Sequence, residues 1–254
     1  MQYGWNHPET ARYYQAFCEL YDRYRDPNEA LAAAAALERG QRILDLAAGT
    51  GGTAAAVLDA LGGECDVVCL EPAEAMRAAG QQQVPQADWV AHWPRGERFD
   101  RVVCGAAIWQ MIPEAFDSAS AALREGGAFV FTIPSQYVGE FDEPGGGADP
   151  GLTQLIAHVA GFRTAEYRDW LGLPQADELE GMLEHAGFRP VAWATRGKLT
   201  QRMYRDWLKI PVLTDALLPE MSASERAVHI DIAWAKCDAE SWRWEAWRGW
   251  TAWK

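Results

Sequence analysis

The chain has 254 residues, 49% of them hydrophobic, and a formal net charge of −13. That size and apolar content suit one folded domain, or one domain with insertions. The acidic balance argues against nucleic acid or an anionic membrane as partner, because binding to either rests on Lys and Arg neutralising phosphates.

Residues 1–38 read as a helical cap. His7-Pro8-Glu9 opens a helix, and Phe17, Leu20, Tyr21 and Tyr24 continue its stripe until Asp26-Pro27-Asn28 breaks it; Glu29 to Leu37 forms the next. Residues 39–134 alternate strands with helices. Strand one is Arg42 to Leu46, followed by a small-residue turn and a helix from Thr53 to Leu61. Strand two is Asp66 to Leu70, and a short strand three covers Asp88 to His92. Strand four is Asp100 to Cys104, a helix runs from Glu114 to Arg124, and strand five is Ala128 to Ile133. Apolar strands in βαβ order predict a parallel sheet covered on both faces. Residues 135–175, with Gly145-Gly146-Gly147 and an amphipathic stretch from Leu152 to Ala160, read as a lid insertion. A helix and strand six (Phe188 to Ala194) occupy 176–196, a second insertion 197–241, and a final strand 242–254.

Strand one ends in an acid, and the turn after it is built of Ala47, Ala48, Gly49, Gly51 and Gly52. Small residues let backbone approach a ligand, and the free N–H groups of the helix that follows favour an anion. Glu71 ends strand two, 22 residues beyond Gly49. An acid at that spacing is placed to accept hydrogen bonds from two ribose hydroxyls. Ala47 is expected to keep a negative φ in this turn.

The wording Asp45-x-Ala47-x-Gly49-x-Gly51 resembles the acid-x-Gly-x-Gly-x-Gly loop of class I S-adenosylmethionine-dependent methyltransferases, with Ala47 in place of the first glycine. Leu70-Glu71-Pro72-Ala73-Glu74-Ala75-Met76 is similar to that family's second motif. Phe99-Asp100-Arg101-Val102, Leu123-Arg124-Glu125-Gly126-Gly127 and Ala186-Gly187-Phe188 resemble its later segments, especially in the ubiquinone-biosynthesis-like small-molecule branch. The resemblance implies a Rossmann-like, seven-stranded, mostly parallel α/β sheet with helices on both faces, helical lid insertions and an antiparallel last strand beside strand five. A nicotinamide enzyme is the weaker reading, since the usual Gly-x-Gly-x-x-Gly spacing is absent.

The resemblance also implies a site. S-adenosyl-L-methionine is the expected cofactor and S-adenosyl-L-homocysteine its product. Glu71 would hold the ribose, Ala47, Gly49 and Gly51 the methionine part, and Asp45 would orient the loop or meet the ammonium end through water. Pro72 and Met76 would flank adenine, with Met76 equally suited to core filling. His92 and Trp93 fall where the family often has Asp and a small residue, a departure at the adenine edge. Cys104, which ends strand four, is a further cofactor-binding candidate. Tyr13, Tyr14 and Tyr21 are candidates for the tyrosine that covers the cofactor in such enzymes. Trp109 and Gln110 point at the acceptor side, where Trp109 suits an aromatic or cationic group.

Methyl transfer is an in-line displacement that needs a base only if the acceptor keeps its proton. His158 and His229, one in each insertion, are the candidates for it. The expected reaction is methylation of a small organic acceptor, in biosynthesis of a specialised metabolite; the alternative is a non-methylating use of the same cofactor, such as cyclisation, or the cofactor as scaffold. A binding protein presenting Trp242 to Trp253 is a third reading. Cys18, Cys65, Cys69, Cys104 and Cys237 are scattered and read as reduced thiols, with no metal expected. No apolar run reaches membrane-spanning length and no leader pattern opens the chain, so a cytoplasmic monomer or homodimer is expected.

Overall fold

A seven-stranded sheet in the order β3-β2-β1-β4-β5-β7-β6 organises the molecule. The computed structural model describes residues 3–140, 145–147, 151–160 and 174–254. Its strands are β1 (Arg42–Leu46), β2 (Asp66–Leu70), β3 (Asp88–Val90), β4 (Phe99–Cys104), β5 (Leu123–Pro134), β6 (Arg189–Thr200) and β7 (Trp242–Trp253). The first five pair in parallel, and β7 runs antiparallel between β5 and β6. The expected last strand therefore occupies its expected place.

Both faces of the central strands are covered. On one, Leu44, Val102, Phe129, Phe131 and Trp250 pack against α5 (Glu114–Ala122) and α7 (Ala176–His185). On the other, Ile43, Val67, Val103 and Val130 pack against α2 (Arg25–Ala34) and α3 (Gly52–Ala60). This is why β1, β2, β4 and the second half of β5 lack a polar alternation, whereas the edge strand β6 is largely exposed. Residue α4 contacts are tighter still: α4 (Glu74–Gln83) carries Gly80, where a Cβ would stand 2.1 Å from Trp89 on β3.

Several boundaries differ from the sequence reading. The first helix, α1 (Pro8–Leu20), stops before Tyr21, and α2 begins at Arg25 with Pro27 inside its first turn. Proline there forgoes an N–H that has no helical acceptor, so it starts the helix and does not break it. Strand three ends at Val90, before His92, and α5 stops at Ala122 because Leu123 already pairs with Phe99. Strand six continues past Ala194 to Thr200, since β7 offers register partners along its whole length, from Trp253 opposite Arg189 to Trp242 opposite Thr200. The boundary placed at 196/197 thus falls inside a strand.

The two insertions meet. Leu152 and Ile156 of α6 (Leu152–Ala160) pack with Leu208, Leu218, Ile230 and Ala233, which lie in or between α8 (Gln201–Leu208) and α9 (Ala223–Trp234). The N-terminal segment is tied to the same unit. Asp215 accepts from the Tyr3 N–H at 3.2 Å and from buried Arg226 at 2.7 Å, while the Tyr3 hydroxyl accepts from Ala223 N–H at 3.0 Å. Phe17 of α1 packs on Leu199, Met203 and Ile210. The N-terminal helix and the second insertion together therefore roof the carboxyl ends of the strands. No helix among the described residues is long and apolar enough to cross a membrane.

Candidate functional site

A cavity of about 1200 Å3 lies beyond the carboxyl ends of β1, β2 and β4, beside the point where strand order reverses. Open α/β sheets bind ligands at this position. Its floor is the turn after β1. Ala47 and Gly49 both lie in the left-handed region, at φ 56° and 57°, and Gly51 caps α3 at φ 90°. The expectation of a negative φ at Ala47 is overturned. The turn reverses the chain so sharply that the Cβ-bearing residue is carried into a glycine-like conformation.

Glu71 stands at the end of β2 and is 7% exposed. One of its oxygens accepts the Gly49 N–H at 2.8 Å and the other the Ala73 N–H at 2.7 Å. Burial raises its pKa, while those two N–H groups and Arg77 pull the other way. Each carboxylate oxygen retains a lone pair, so two acceptors stay available on a carboxylate fixed by backbone. Asp45 is fully buried; its Oδ2 accepts from Ala54 N–H at 3.0 Å, while Oδ1 has no partner. Burial without a counter-cation lifts its pKa to about 8, against the Ala54 N–H and with a further push from Glu71.

The cavity brings together Tyr21, Ala47, Gly49, Glu71, Pro72, Met76, His92, Trp93, Trp109 and Gln110. Asp45 and Gly51 lie directly behind the turn and do not line it. Gly51 instead makes room for the core: a Cβ there would stand 2.7 Å from Val84. Cys104, expected at the cofactor, does not line the cavity: it is buried under the sheet end, and burial pushes its thiol up. Tyr13 packs with the cluster around Phe17 and Leu199, and Tyr14 is the residue of that pair that lines the cavity. Tyr21 lines it from the α1–α2 connection, with its hydroxyl donating to Asp206 at 2.6 Å. Burial, then that bond, raises its pKa to about 12. His158 is exposed on α6, and His229 on α9 bonds the Glu225 carbonyl at 2.9 Å; neither lines the cavity. Among the described residues, no group of three or more His, Cys, Asp or Glu is arranged to hold a metal ion.

Other lining residues escaped the sequence reading. Asn28 is buried and accepts from Thr53 at 3.2 Å, and a Cβ on Gly105 would collide with both. Trp5 donates to Gln110 at 3.0 Å, and Trp109 meets Tyr137 edge-on at 5.2 Å. Trp207 donates to the Tyr24 hydroxyl at 2.7 Å. Buried Arg23 pairs with Glu245, through Nε to Oε2 at 2.8 Å and Nη2 to Oε1 at 2.5 Å. Partners 105, 183 and 222 residues away leave no local signal for Gln110, Trp207 or Glu245.

The two ends of the cavity differ in chemistry. Turn, Glu71, Pro72 and Met76 form a polar end with backbone at hand. Tyr14, Tyr24, Trp109, Tyr137 and Trp207 form an aromatic end. The polar end fits a nucleoside: a buried carboxylate for a diol and a turn without bulky side chains.

Residues 15–192 match a family model described as a methyltransferase domain. No curated protein matches the chain by sequence. Among solved structures, a Galdieria sulphuraria protein assigned as a sarcosine dimethylglycine methyltransferase has a TM-score of 0.57 at 14% identity, covering 96% of this chain and 98% of its own. Phosphoethanolamine N-methyltransferase 2 of Haemonchus contortus, solved with S-adenosyl-L-methionine, gives 0.51 at 17% identity, covering 90% of this chain and 52% of its own. The [4+2]-cyclase SpnF gives 0.56 at 15% identity, covering 91% and 80%. At these identities the likenesses speak to the fold.

Proposed function

The chain belongs to the methyltransferase-domain family, with the class I fold, and from that premise we propose that it transfers a methyl group from S-adenosyl-L-methionine to a small organic acceptor. The observation that carries the reading is Glu71, a buried carboxylate held by two backbone N–H groups at the lip of the glycine turn. Its free lone pairs suit the ribose hydroxyls, Pro72 and Met76 suit the faces of adenine, and Asp45, behind the turn, suits orienting the loop through the Ala54 N–H. When bound, the cofactor supplies an electrophilic methyl group on a sulfonium. The chain's part is to position and to dry: the turn and Glu71 fix one reactant, and the aromatic end of the cavity holds the other and excludes water.

His92 is the histidine that lines the cavity, and it sits at the β3 edge, on the cofactor side. His158 and His229 remain proposed bases only for an acceptor that reaches the insertions. We place the activity in specialised-metabolite biosynthesis, in a cytoplasmic monomer or homodimer, because the chain is acidic and its acceptor end is hydrophobic and aromatic. A second reading, non-methylating use of the cofactor, is favoured by one observation: the [4+2]-cyclase SpnF shares the fold. Product analysis separates the two, since methyl transfer accumulates S-adenosyl-L-homocysteine.

The test of the site is calorimetric titration with S-adenosyl-L-homocysteine. Wild type should bind one molecule per chain. Glu71→Ala should weaken binding at least about 30-fold, the loss of two hydrogen bonds to a charged acceptor. Equal affinities would remove Glu71 from the site and the reading with it.

A further inference from the structure

Residues 3–7 tie three parts of the molecule together beside the cavity. Tyr3 is buried and firmly held: its N–H donates to Asp215, its hydroxyl accepts from Ala223, and the Arg226 guanidinium carbon lies 4.8 Å from its ring centre. Beyond Gly4, where a side chain would meet nothing within 4 Å, the hold is weaker. Trp5 lines the cavity and donates its indole N–H at 3.0 Å to Gln110, on the turn after β4. Asn6 Oδ1 accepts the Ala75 N–H at 3.2 Å. Both bonds are open to solvent. Ala75 belongs to the first turn of α4, where backbone N–H groups have no helical acceptor. Ala73, at the N-cap position, has no side-chain oxygen to supply one, so Asn6 supplies it from 69 residues away. Two positions before Ala75, the Ala73 N–H is taken by Glu71. One turn of backbone thus joins this segment to the carboxylate that suits the ribose.

We propose that Asn6 and Trp5 are positioning residues on a strap that shuts the cavity, and that the cofactor and its product pass only when the strap releases. This rests on the methyl-transfer reading and adds how its site is held and reached. Asn6 sets the first turn of α4 at the polar end, and Trp5 pins Gln110 at the other side, so one short segment keeps the two ends in register. Release falls at Asn6 and Trp5 and not at Tyr3, because two exposed hydrogen bonds give way before a buried residue held on three sides. Each exposed bond favours closure by about two- to tenfold, and the pair by about 5- to 100-fold. That is enough to exclude water for most of the time and weak enough to open in every turnover. A gate of this kind changes entry and exit rates together and leaves affinity nearly alone. A residue that only supports the fold, or only touches the ligand, changes affinity.

The experiment uses the full chain and radiolabelled S-adenosyl-L-homocysteine, with association and dissociation rates measured separately. Asn6→Cys with Ala75→Cys lets a disulfide lock the strap, and Asn6→Cys alone, oxidised in the same way, is the control for the native thiols. In the oxidised pair both rates should fall together by about 100-fold or more while Kd stays within about threefold, and a reductant should restore them. Trp5→Phe with Asn6→Ala removes both bonds and should speed dissociation by about 5- to 100-fold. Equal exchange by the oxidised and reduced pair, or a change in Kd large enough to account for the change in rate, overturns the gate. Failure of the pair to oxidise places Asn6 out of reach of α4 and overturns it as well. Amide hydrogen exchange judges the strap with no ligand present: the Ala75 N–H should exchange about two- to tenfold faster in Asn6→Ala than in wild type, and equal rates refute the contact. Failure of wild type to bind S-adenosyl-L-homocysteine would instead overturn the methyl-transfer reading, and exchange at Ala75 would still judge the strap.

Discussion

Replacing Ala47 by glycine should stabilise the protein, although glycine usually does the opposite. The residue sits at φ 56°, where an L side chain crowds the following carbonyl. That crowding costs about 1–2 kcal/mol. Glycine removes it but loosens the unfolded chain, an opposing effect of about 0.4–1 kcal/mol. The difference leaves a gain of roughly 0.5–1 kcal/mol, or a rise of about 1–4 °C in Tm for a chain of this size. Urea unfolding and calorimetry of the variant check it. Two controls fix the sign. Ala106→Gly, at φ 58° on the cavity rim, should behave in the same way. Ala56→Gly, inside α3, should lower stability by about 1 kcal/mol. If Ala47→Gly is destabilised as much as Ala56→Gly, the residue is not left-handed and the account of the turn fails.

Two further variants test the floor of the site. Gly51→Ala combines φ 90° with a Cβ placed 2.7 Å from Val84, and should cost about 2–4 kcal/mol by denaturant titration. Gly40→Ala, at φ 78° with nothing within 4 Å, should cost only the conformational part; similar losses at both would refute the packing role of Gly51. For Asp45, burial raises the carboxyl from 3.8 to about 8 in the folded protein. The folded state then holds a proton that the unfolded chain has released across that window, so this group's effect on stability worsens as pH rises from about 4 to about 8 and is constant outside it. Asp45→Asn removes the dependence. Its stability relative to wild type should climb with pH by up to about 1.4 kcal/mol per unit between those limits, and a flat difference at pH 5, 6 and 7 would contradict the raised value.

How much of this was readable in the chain follows from the range of the interactions. Asp45, Gly49, Glu71 and the βαβ order sit within one supersecondary unit, and each follows from local pattern: an apolar run, a turn of small residues, an acid at the next strand end. Ala47 shows the limit even there. A sequence places alanine in a turn but does not state its φ, and the loop needs the left-handed region for a residue that tolerates it poorly. Helix ends were misread where proline has two meanings, since Pro27 reads as a breaker until the chain direction before it is known. The length of β6 was set by β7, a strand more than forty residues on, so its own composition understated it.

The tryptophans divide along the same line. Trp247 and Trp250 are almost fully buried in the sheet, as their place in a strand predicts. Trp5, Trp93, Trp109 and Trp207 line the cavity, and three of the four depend on partners distant in sequence. The polar end of the cavity is thus encoded by neighbours, while the aromatic end is assembled by the N-terminal helices, the turn after β4, the segment after β5 and the second insertion. Substitutions in those parts can reshape the aromatic end without touching the glycine turn or Glu71. That separation is why a family pattern identifies the cofactor chemistry and says so little about the acceptor.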